Sequence, residues 1–305
     1  MDPPVRPTVL KRGTDREATS SMISCPSVTK SEIRLHYDLA TAFYRLLWGP
    51  HIHHGLWSGD ESPAVAQRQL IEAVAERACV TRGERVVDVG CGMGGSSVFL
   101  ARHYGADVTG ITLSRVQRWW AACGSLLGGV RGQTRFVRAD AERIDFPPQS
   151  FDVVWSIECT EHLFDKEAFF RKAARWLKPG GRLVICAWLA GDEPLDDAAR
   201  RRVFDVCEGF LCPSLGTRAD YEDWFRAAGL TPRGYDDWTD RVAQTWQICR
   251  DRVARSGVRL LSRALHRGTT LFLDRFEAIL EAYGMGAMAY GWLVAEGPVG
   301  APAAE

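Results

Sequence analysis

The sequence of 305 residues lacks an excess of charge of either sign, since 38 Lys and Arg residues balance 38 Asp and Glu residues. Nucleic-acid binding depends largely on neutralising phosphates, so this balance argues against a nucleic-acid partner. No apolar run approaches the roughly 18 to 20 residues that a membrane-spanning helix needs, and no transmembrane segment is expected. With 46% hydrophobic and 25% charged residues, the composition is that of an ordinary globular protein.

Paired cysteine motifs are also missing. Nine cysteines are scattered from Cys25 to Cys249 with no Cys-x-x-Cys pair, which argues against a secreted disulfide framework and a thiolate zinc site. Residues 1–28 are polar and lack the apolar core of a signal peptide, so we expect a disordered leader on a cytoplasmic protein. The Gly/Pro/Ala-rich residues 297–305 are expected to form a flexible tail.

The hydrophobic pattern predicts an α/β fold. Helical periodicity indicates two helices, over residues 31–48 and 63–78, and from residue 85 short β-branched runs alternate with helices of about ten to fifteen residues. This alternation predicts βαβ units and a mostly parallel sheet with helices on both faces. A strand over 230–238 and another over 285–295, separated by a helical stretch, predict an antiparallel edge that carries an inserted cap.

The sharpest motif is the run VVDVGCGMGG over residues 86–95, in which a strand ends in a glycine-rich turn. Such a turn lets a ligand approach the backbone closely, next to the N–H groups of the following helix. The glycine spacing matches the dinucleotide fingerprint, but Asp88, two positions before the first glycine, would repel a pyrophosphate and favour an ammonium group. The second strand ends in Gly110-Ile-Thr-Leu-Ser instead of the acidic residue that an NAD ribose needs. The sequence therefore favours S-adenosylmethionine, which carries an ammonium group and no phosphate.

In combination these features resemble the class I S-adenosylmethionine-dependent methyltransferases, and more narrowly the γ-tocopherol methyltransferase-like group. The resemblance rests on the glycine loop and on His53-His54-Gly55, Gly94-Gly95-Ser96-Ser97, Gly110-Ile-Thr-Leu-Ser, Ala139-Asp140-Ala141, Trp155-Ser-Ile-Glu158, Glu161-His162, Asp165-Lys166, Leu177-Lys-Pro-Gly-Gly, Thr217-Arg-Ala-Asp-Tyr221 and Asp237-Trp-Thr239. It covers roughly residues 31–296. The cyclopropane fatty-acid synthases are a neighbouring group.

The resemblance implies a Rossmann-like, seven-stranded, mostly parallel sheet with helices on both faces, an N-terminal helical lid and a helical insertion before the last strand. It divides a single methyltransferase domain, residues 29–296, into three parts. These are the lid (29–80), a cofactor-binding core (81–190) and a substrate-cap region (191–296).

The resemblance also implies which residues bind the cofactor, S-adenosylmethionine. Asp88 is expected at its amino group, and the flanking glycines allow its amino-acid part to approach. The acidic ribose ligand of other methyltransferases is replaced by three residues, and three more are expected beside the adenine. The full expected set is Asp88, Gly90, Gly92, Thr112, Leu113 and Gln117 (the last three at the ribose), Asp140, Ala141 and Glu142 (at the adenine), Ile157, and His53 on the loop that covers the cofactor.

Methyl transfer from a sulfonium is an in-line displacement that needs positioning but no metal and no covalent intermediate. A general base helps if the acceptor is a phenol, a hydroxyl or an amine. The candidate catalytic residues are Glu161, His162 and His54, with Glu158 at the same sheet edge. The expected acceptor is a small, largely apolar molecule such as a phenol, a prenyl-quinol or an alkaloid-like natural product, methylated on carbon, oxygen or nitrogen. Its pocket is expected to use Trp224, Trp238, Trp246 and Trp292.

Two alternatives stay open at this point. The first is a cyclopropane-type or other lipid methyltransferase, which would need access to a bilayer or to a carrier-bound acyl chain. The second is a cofactor-binding scaffold without activity, against which the presence of Glu158, Glu161 and His162 beside an intact glycine loop argues.

Overall fold

The computed structural model describes residues 22–47, 49, 51–192, 194–256 and 275–298. The strands are β1 (Ile23–Ser24), β2 (Arg85–Val89), β3 (Asp107–Thr112), β4 (Thr134–Arg138), β5 (Phe151–Ile157), β6 (Leu177–Ala190), β7 (Ser214–Leu215), β8 (Thr231–Asp237) and β9 (Met288–Glu296). The helices are α1 (Lys30–Leu47), α2 (Pro63–Arg77), α3 (Gly95–Phe99), α4 (Arg115–Leu127), α5 (Lys166–Trp176), α6 (Asp197–Phe210), α7 (Arg218–Ala227), α8 (Thr239–Val242), α9 (Gln244–Ser256) and α10 (Phe276–Gly284). None of these helices is both long enough and apolar enough to cross a membrane.

A seven-stranded sheet in the order β4-β3-β2-β5-β6-β9-β8 forms the centre of the described fold. Strands β2 to β6 pair in parallel, whereas β9 runs antiparallel between β6 and β8. The predicted fold class is therefore confirmed, including the helices inserted before the last strand. The strand order reverses between β2 and β5, and ligands of open α/β sheets bind in the crevice outside the carboxyl ends of the strands at such a point.

Local sequence signals account for the elements around this crevice. Strand β2 is a nearly continuous apolar run because it is buried on both faces. Helix α4 begins at Ser114, whose side chain accepts a hydrogen bond from the N–H of Gln117. Helix α5 begins in the same way at Asp165, which accepts from the N–H of Ala168. These caps fix where the loops at the carboxyl edge of the sheet end.

Helix α1 lies over the carboxyl edge of the sheet and is attached to it by polar contacts along its length. The Lys30 ammonium lies 3.0 Å from the Asp140 carboxylate. The Ser114 hydroxyl donates to the Asp38 carboxylate at 2.5 Å, and the Tyr37 hydroxyl lies 2.8 Å from Nε2 of His162. The N-terminal helix thus has the position that a lid requires.

Part of the predicted leader (1–28) is structured, since residues 22–28 are described. Strand β1 pairs antiparallel with β7, and Cys25 is fully buried, with its N–H donating to the carbonyl oxygen of Pro213. A strand of two residues is too short to give a periodic hydrophobic pattern, so β1 was not predicted from the sequence. The rest of the predicted leader (1–21), part of the predicted helical cap (257–274) and most of the predicted tail (299–305) lie outside the described residues.

Gly291 lies in β9, between β6 and β8, where the strands approach too closely for a side chain. A Cβ atom at this position would lie 2.6 Å from the carbonyl oxygen of Asp236 and 2.7 Å from the Tyr235 ring. We expect Gly291→Ala to lower the free energy of unfolding by about 1 to 3 kcal/mol, as overpacking does. Thermal unfolding followed by circular dichroism measures this change.

Gly284→Ala is the matched control, because a Cβ at the end of α10 meets nothing within 4 Å. We expect this control to be neutral or to stabilise the fold by up to about 1 kcal/mol, through a less flexible unfolded chain. Equal melting temperatures for the two variants would contradict the pairing of β9 with both of its neighbours.

Candidate active site

A cavity opens at the carboxyl ends of β2, β3 and β5, under α1 and the loop before α2. We call it the glycine-loop cavity. Its lining consists of Ile33, Tyr37, His51, Ile52, His53, Asp88, Gly90, Cys91, Gly92, Met93, Gly95, Ser96, Thr112, Leu113, Gln117, Ile157, Glu158, Cys159 and His162. Eight of the eleven residues predicted for the cofactor are brought together here, namely Asp88, Gly90, Gly92, Thr112, Leu113, Gln117, Ile157 and His53.

Asp88 lies at the end of β2 and is almost fully buried. Burial raises the pKa of its carboxyl group to about 7, although the Ser97 hydroxyl, which donates to it at 2.5 Å, acts in the opposite direction. Gly90 follows with a φ of +77°, and a Cβ there would lie 2.3 Å from the Cys159 side chain. The turn therefore requires glycine both for its backbone conformation and for the close approach of the segment that follows β5.

The end of β3 contributes a neutral polar pair in place of an acidic residue. The Thr112 hydroxyl donates to the side-chain oxygen of Gln117 at 2.9 Å. Both side chains are buried and line the cavity, because the Ser114 cap turns the first turn of α4 back towards the strand end. Hydroxyl and amide groups at this place suit the neutral hydroxyls of a ribose.

The three residues predicted beside the adenine, Asp140, Ala141 and Glu142, are not among the described residues that line the glycine-loop cavity, but Asp140 lines a neighbouring cavity that shares Leu113 with it. Asp140 and Glu142 both form ion pairs with Lys30 of α1. The backbone oxygen of Ala141 accepts a hydrogen bond from Lys172. These partners belong to α1 and α5, which the sequence analysis did not connect with this loop.

A second cavity adjoins the first. We call it the aromatic cavity. It is lined by His36, Tyr37, Tyr44, Ile52, His53, His54, Glu158, Glu161, His162, Trp188, Phe210, Cys212, Thr245 and Trp246. Five residues, Tyr37, Ile52, His53, Glu158 and His162, line both cavities, so molecules bound in the two cavities would meet at these side chains.

Glu161 brings a buried and incompletely paired carboxyl group to the aromatic cavity. Its Oε1 accepts a hydrogen bond from the N–H of Trp188 at 2.7 Å, but its buried Oε2 has no partner among the described residues. Burial raises the pKa of this group to about 8, and the nearby Glu158 adds to the rise. A carboxyl group with a free oxygen and a pKa near neutrality suits proton exchange with a bound molecule.

His54 is fully buried, and both of its ring nitrogens have partners. Nδ1 donates to Glu158 at 2.9 Å, while Nε2 accepts from the indole N–H of Trp246 at 2.5 Å. Glu158, which adopts a φ of +50°, also accepts from the Tyr290 hydroxyl and from the N–H of His54. Burial alone would raise the pKa of Glu158, but the interactions with His54 outweigh burial and lower it.

His162 is also engaged through both ring nitrogens. Nδ1 lies 3.0 Å from the carbonyl oxygen of Leu211, which can only accept, so Nε2 accepts from the Tyr37 hydroxyl. Burial lowers the pKa of His162, which keeps the ring neutral. Of the three predicted catalytic residues, Glu161 therefore has a proton-accepting atom without a partner among the described residues. His162 connects to α1 through Tyr37, and His54 connects Glu158 to Trp246.

The expected set of tryptophans is wrong in three of four positions. Trp246 lines the aromatic cavity, but Trp224 stacks on Phe170, and Trp238 and Trp292 both lie over the guanidinium of Arg77. The aromatic cavity is lined instead by Trp188 and Phe210, together with Trp246.

Tyr290 of β9, whose hydroxyl donates to Glu158, was not predicted from the sequence either. A signal was available for Trp188, because this aromatic residue lies near the carboxyl end of a parallel strand. No local signal connects Tyr290 with Glu158 across 132 positions of chain.

Comparisons with known proteins agree with this arrangement. A family model described as a methyltransferase domain matches residues 87–185. The chain is 30% identical to the chloroplastic tocopherol O-methyltransferase of Arabidopsis thaliana, over 92% of this chain and 86% of that protein. It is 31% identical to the 27-O-demethylrifamycin SV methyltransferase of Amycolatopsis mediterranei, over 85% of this chain and 95% of that protein.

The chain belongs to the class I S-adenosylmethionine-dependent methyltransferases, in the group of the tocopherol methyltransferases. Among solved structures, the [4+2]-cyclase SpnF is 25% identical with a TM-score of 0.78, covering 91% of this chain and 99% of that one. The cyclopropane synthase MmaA2 of Mycobacterium tuberculosis has the same TM-score at 17% identity, covering 89% and 100% of the two chains. This second likeness concerns the fold.

The methyltransferase acts on small molecules and uses S-adenosylmethionine, and its glycine-loop cavity fits that cofactor. When bound, the cofactor supplies an electrophilic methyl group on a positively charged sulfur. The buried carboxyl group of Asp88 forms no ion pair with any described residue, and an ammonium group would compensate it. Nδ1 of His51 and Nε2 of His53 also line the cavity without a partner among the described residues.

Asp88→Asn should weaken the binding of S-adenosylhomocysteine by roughly 1.5 to 3 kcal/mol, the range for a charge-assisted hydrogen bond. Since the pKa of Asp88 is about 7 in the empty site, wild-type affinity should increase as the pH rises through 7, and the variant should lose this dependence. Isothermal titration calorimetry between pH 6 and 8 measures both effects.

The stability of the empty protein should change in the opposite sense. The pKa of Asp88 is higher in the folded than in the unfolded chain, so its ionisation lowers the free energy of unfolding as the pH rises towards 7. Asp88→Asn should remove that loss. Asp107→Asn, at the exposed opposite end of β3, is the control and should change neither quantity. Unchanged affinity in Asp88→Asn would exclude contact between this carboxylate and the ligand.

Proposed function

We propose that this methyltransferase transfers a methyl group to a hydroxyl oxygen of a largely apolar small molecule, with Glu161 as the general base. The observation that carries the proposal is the unpartnered Oε2 of Glu161 in a cavity walled by Trp188, Phe210 and Trp246. An aromatic wall favours an apolar acceptor, and a single buried acceptor atom favours one hydroxyl group within it. Both curated relatives described above are named for the methylation of oxygen or of an O-demethyl compound.

In the proposed reaction, the acceptor lies in the aromatic cavity with its hydroxyl next to Oε2 of Glu161. The ionised carboxylate takes the hydroxyl proton while the oxygen forms its bond to the methyl carbon and the carbon–sulfur bond breaks. His54 and His162 position the site and do not act as bases, since each ring has partners on both nitrogens. Closure of α1 over the site excludes water and holds the two reacting atoms in line.

The proposal includes the cofactor roles that the family resemblance implies. Asp88 binds the amino group, Gly90 and Gly92 let the methionine part approach, and Thr112 and Gln117 bind the ribose hydroxyls, with Leu113, Ile157 and His53 as neighbouring wall. At the adenine, Asp140 has the carboxylate oxygen that does not contact Lys30 for the amino group, and the backbone of Ala141 and Glu142 lies beside the ring. These assignments extend the sequence prediction and are supported by the lining of the cavity.

The lipid alternative is retained because the fold likeness to a cyclopropane synthase is as high as the likeness to SpnF. Labelled methyl groups from S-adenosylmethionine should enter phenols, prenyl-quinols or other hydroxyl compounds as methyl ethers, identified by NMR. Incorporation into phospholipid acyl chains would favour the alternative. Conversion of an acceptor without release of S-adenosylhomocysteine would favour a cyclase or another use of the same fold.

A cytoplasmic location is part of the proposal. It is supported by the nine cysteines, all at described positions and all free thiols, as expected in a reducing compartment. The tocopherol relative is named as chloroplastic, so a reducing organelle is the competing location. Fractionation of cells that produce the protein distinguishes the two.

Glu161→Gln should lower kcat by about a hundredfold or more, because the variant cannot accept the hydroxyl proton. In the wild type, the pKa of about 8 leaves most of Glu161 protonated at pH 6. At saturating S-adenosylmethionine, where the ionisation of Asp88 does not limit the rate, kcat/KM for the acceptor should rise with pH and level off above about 8. The variant should lose this inflection. Steady-state release of S-adenosylhomocysteine as a function of pH measures both.

The control is Glu167→Gln, a half-exposed carboxylate on α5 that pairs with Arg171 and should leave rate and pH profile unchanged. Affinity for S-adenosylhomocysteine should stay the same in both variants. A wild-type kcat in Glu161→Gln would exclude Glu161 as the base and transfer the role to Glu158 or to the substrate itself.

A further inference from the structure

Exposed apolar side chains are concentrated on two neighbouring helices. Seven large hydrophobic side chains of the described residues are exposed, and five of them belong to α1 and α4. These five are Leu35 (47%), Leu39 (62%), Trp119 (57%), Leu126 (59%) and Leu127 (88%). The two helices pack together, with the guanidinium of Arg45 lying 5.9 Å from the ring centre of Trp120. We call this surface the α1/α4 face.

The α1/α4 face is also positively charged. It carries four exposed arginines, Arg34, Arg45, Arg115 and Arg118. None of the four forms an ion pair within the described part of the chain, and residues 108–139 contain five arginines and no acidic residue, in a protein of zero net charge. The acidic residues of the two helices are engaged locally, Glu32 at the N–H of Thr29 and Asp38 at the hydroxyl of Ser114.

The combination of charge and apolar surface restricts the partner. A symmetric dimer through this face would place the same arginines opposite each other, which like charges oppose. A nucleic acid would neutralise the arginines but would leave the exposed leucines without a contact. A membrane surface with anionic headgroups satisfies both, because tryptophan and leucine enter the interface while arginines contact the phosphates.

We propose that the α1/α4 face binds reversibly to the surface of membranes that contain anionic lipid. The opposite sides of the same helices line the site, with Ile33 and Tyr37 of α1 and Gln117 of α4 in the glycine-loop cavity. Membrane contact would therefore bring the lid to the layer in which apolar acceptors dissolve. The proposal depends neither on the methylated atom nor on the role of Glu161.

Flotation of the full chain with lipid vesicles tests the proposal without an activity assay. Wild type should float with vesicles of phosphatidylcholine mixed with phosphatidylglycerol, but not with phosphatidylcholine alone, and added salt should weaken the binding. Arg115→Gln combined with Arg118→Gln should reduce the partition coefficient roughly thirtyfold. Trp119→Ser combined with Leu126→Ser should reduce it roughly tenfold or more.

The matched control is Arg68→Gln combined with Arg102→Gln. These two arginines are exposed, form no ion pair with described residues and lie on other helical segments, so the net charge changes equally. The control should bind as wild type does. All variants alter exposed side chains, and equal melting temperatures verify that they fold.

Three results would overturn the proposal. The first is failure of wild type to float with the anionic vesicles. The second is an equal loss of binding in the control, which would show a response to net charge alone. The third is sedimentation showing that Trp119→Ser with Leu126→Ser separates a dimer, while wild type does not bind vesicles. This last result would assign the face to a second copy of the chain.

Discussion

The burial of three carboxyl groups at one edge of the sheet is the constraint on which the site depends. Asp88, Glu158 and Glu161 all lie where β2 and β5 end, and water that would solvate them is largely excluded. A buried charge must find a partner or give up its ionisation. The fold offers each group a different degree of compensation, and the three therefore differ in pKa.

Glu158 is compensated most fully. It accepts from the backbone and ring of His54 and from the Tyr290 hydroxyl, and its pKa is lowered despite burial. Asp88 has the Ser97 hydroxyl, and Glu161 has one backbone N–H, so burial dominates and their pKa values rise to about 7 and about 8. The carboxyl edge of the sheet thus holds one carboxylate that stays ionised, Glu158. Beside it lie two carboxyl groups, Asp88 and Glu161, that can still exchange a proton or bind a cation. Groups perturbed in this way are typical of functional sites.

His54 links the buried Glu158 carboxylate to several other elements of the protein. The His54 ring is hydrogen-bonded to Glu158, directly after β5, and to Trp246 on α9. The same ring contacts the Tyr290 ring on β9. The loop before α2 and the helices inserted before the last strand are therefore held to the same carboxylate. On the other side of the site, Tyr37 and His162 attach α1 in a similar way. The position of α1 and the shape of the aromatic cavity therefore depend on polar contacts made to one sheet edge.

Much of this arrangement could be predicted from the sequence, because the signals are local. The alternation of strands and helices predicts the parallel sheet, and the glycine loop with Asp88 predicts the ligand class, since both depend on residues a few positions apart. Glu158 and Glu161 could be placed at the carboxyl edge because residues that follow parallel strands meet there, and Gln117 because it lies one helical turn after Leu113. Such reasoning failed for strand β1, whose two paired residues give no period.

The sequence by itself determined which ionisable side chains lie at the carboxyl edge of the sheet. Only the tertiary structure decided which hydrogen-bond partners each of them has. The choice between Glu161, His162 and His54 depends on which atom lacks a partner. Those partners, among them Trp246, Tyr37, Leu211 and Trp188, come from elements as far as 192 positions away in the chain. The pairing of Lys30 with Asp140 likewise spans 110 positions. Hydrogen bonding and burial are properties of neighbours in space, and for these residues the neighbours in space are distant in sequence.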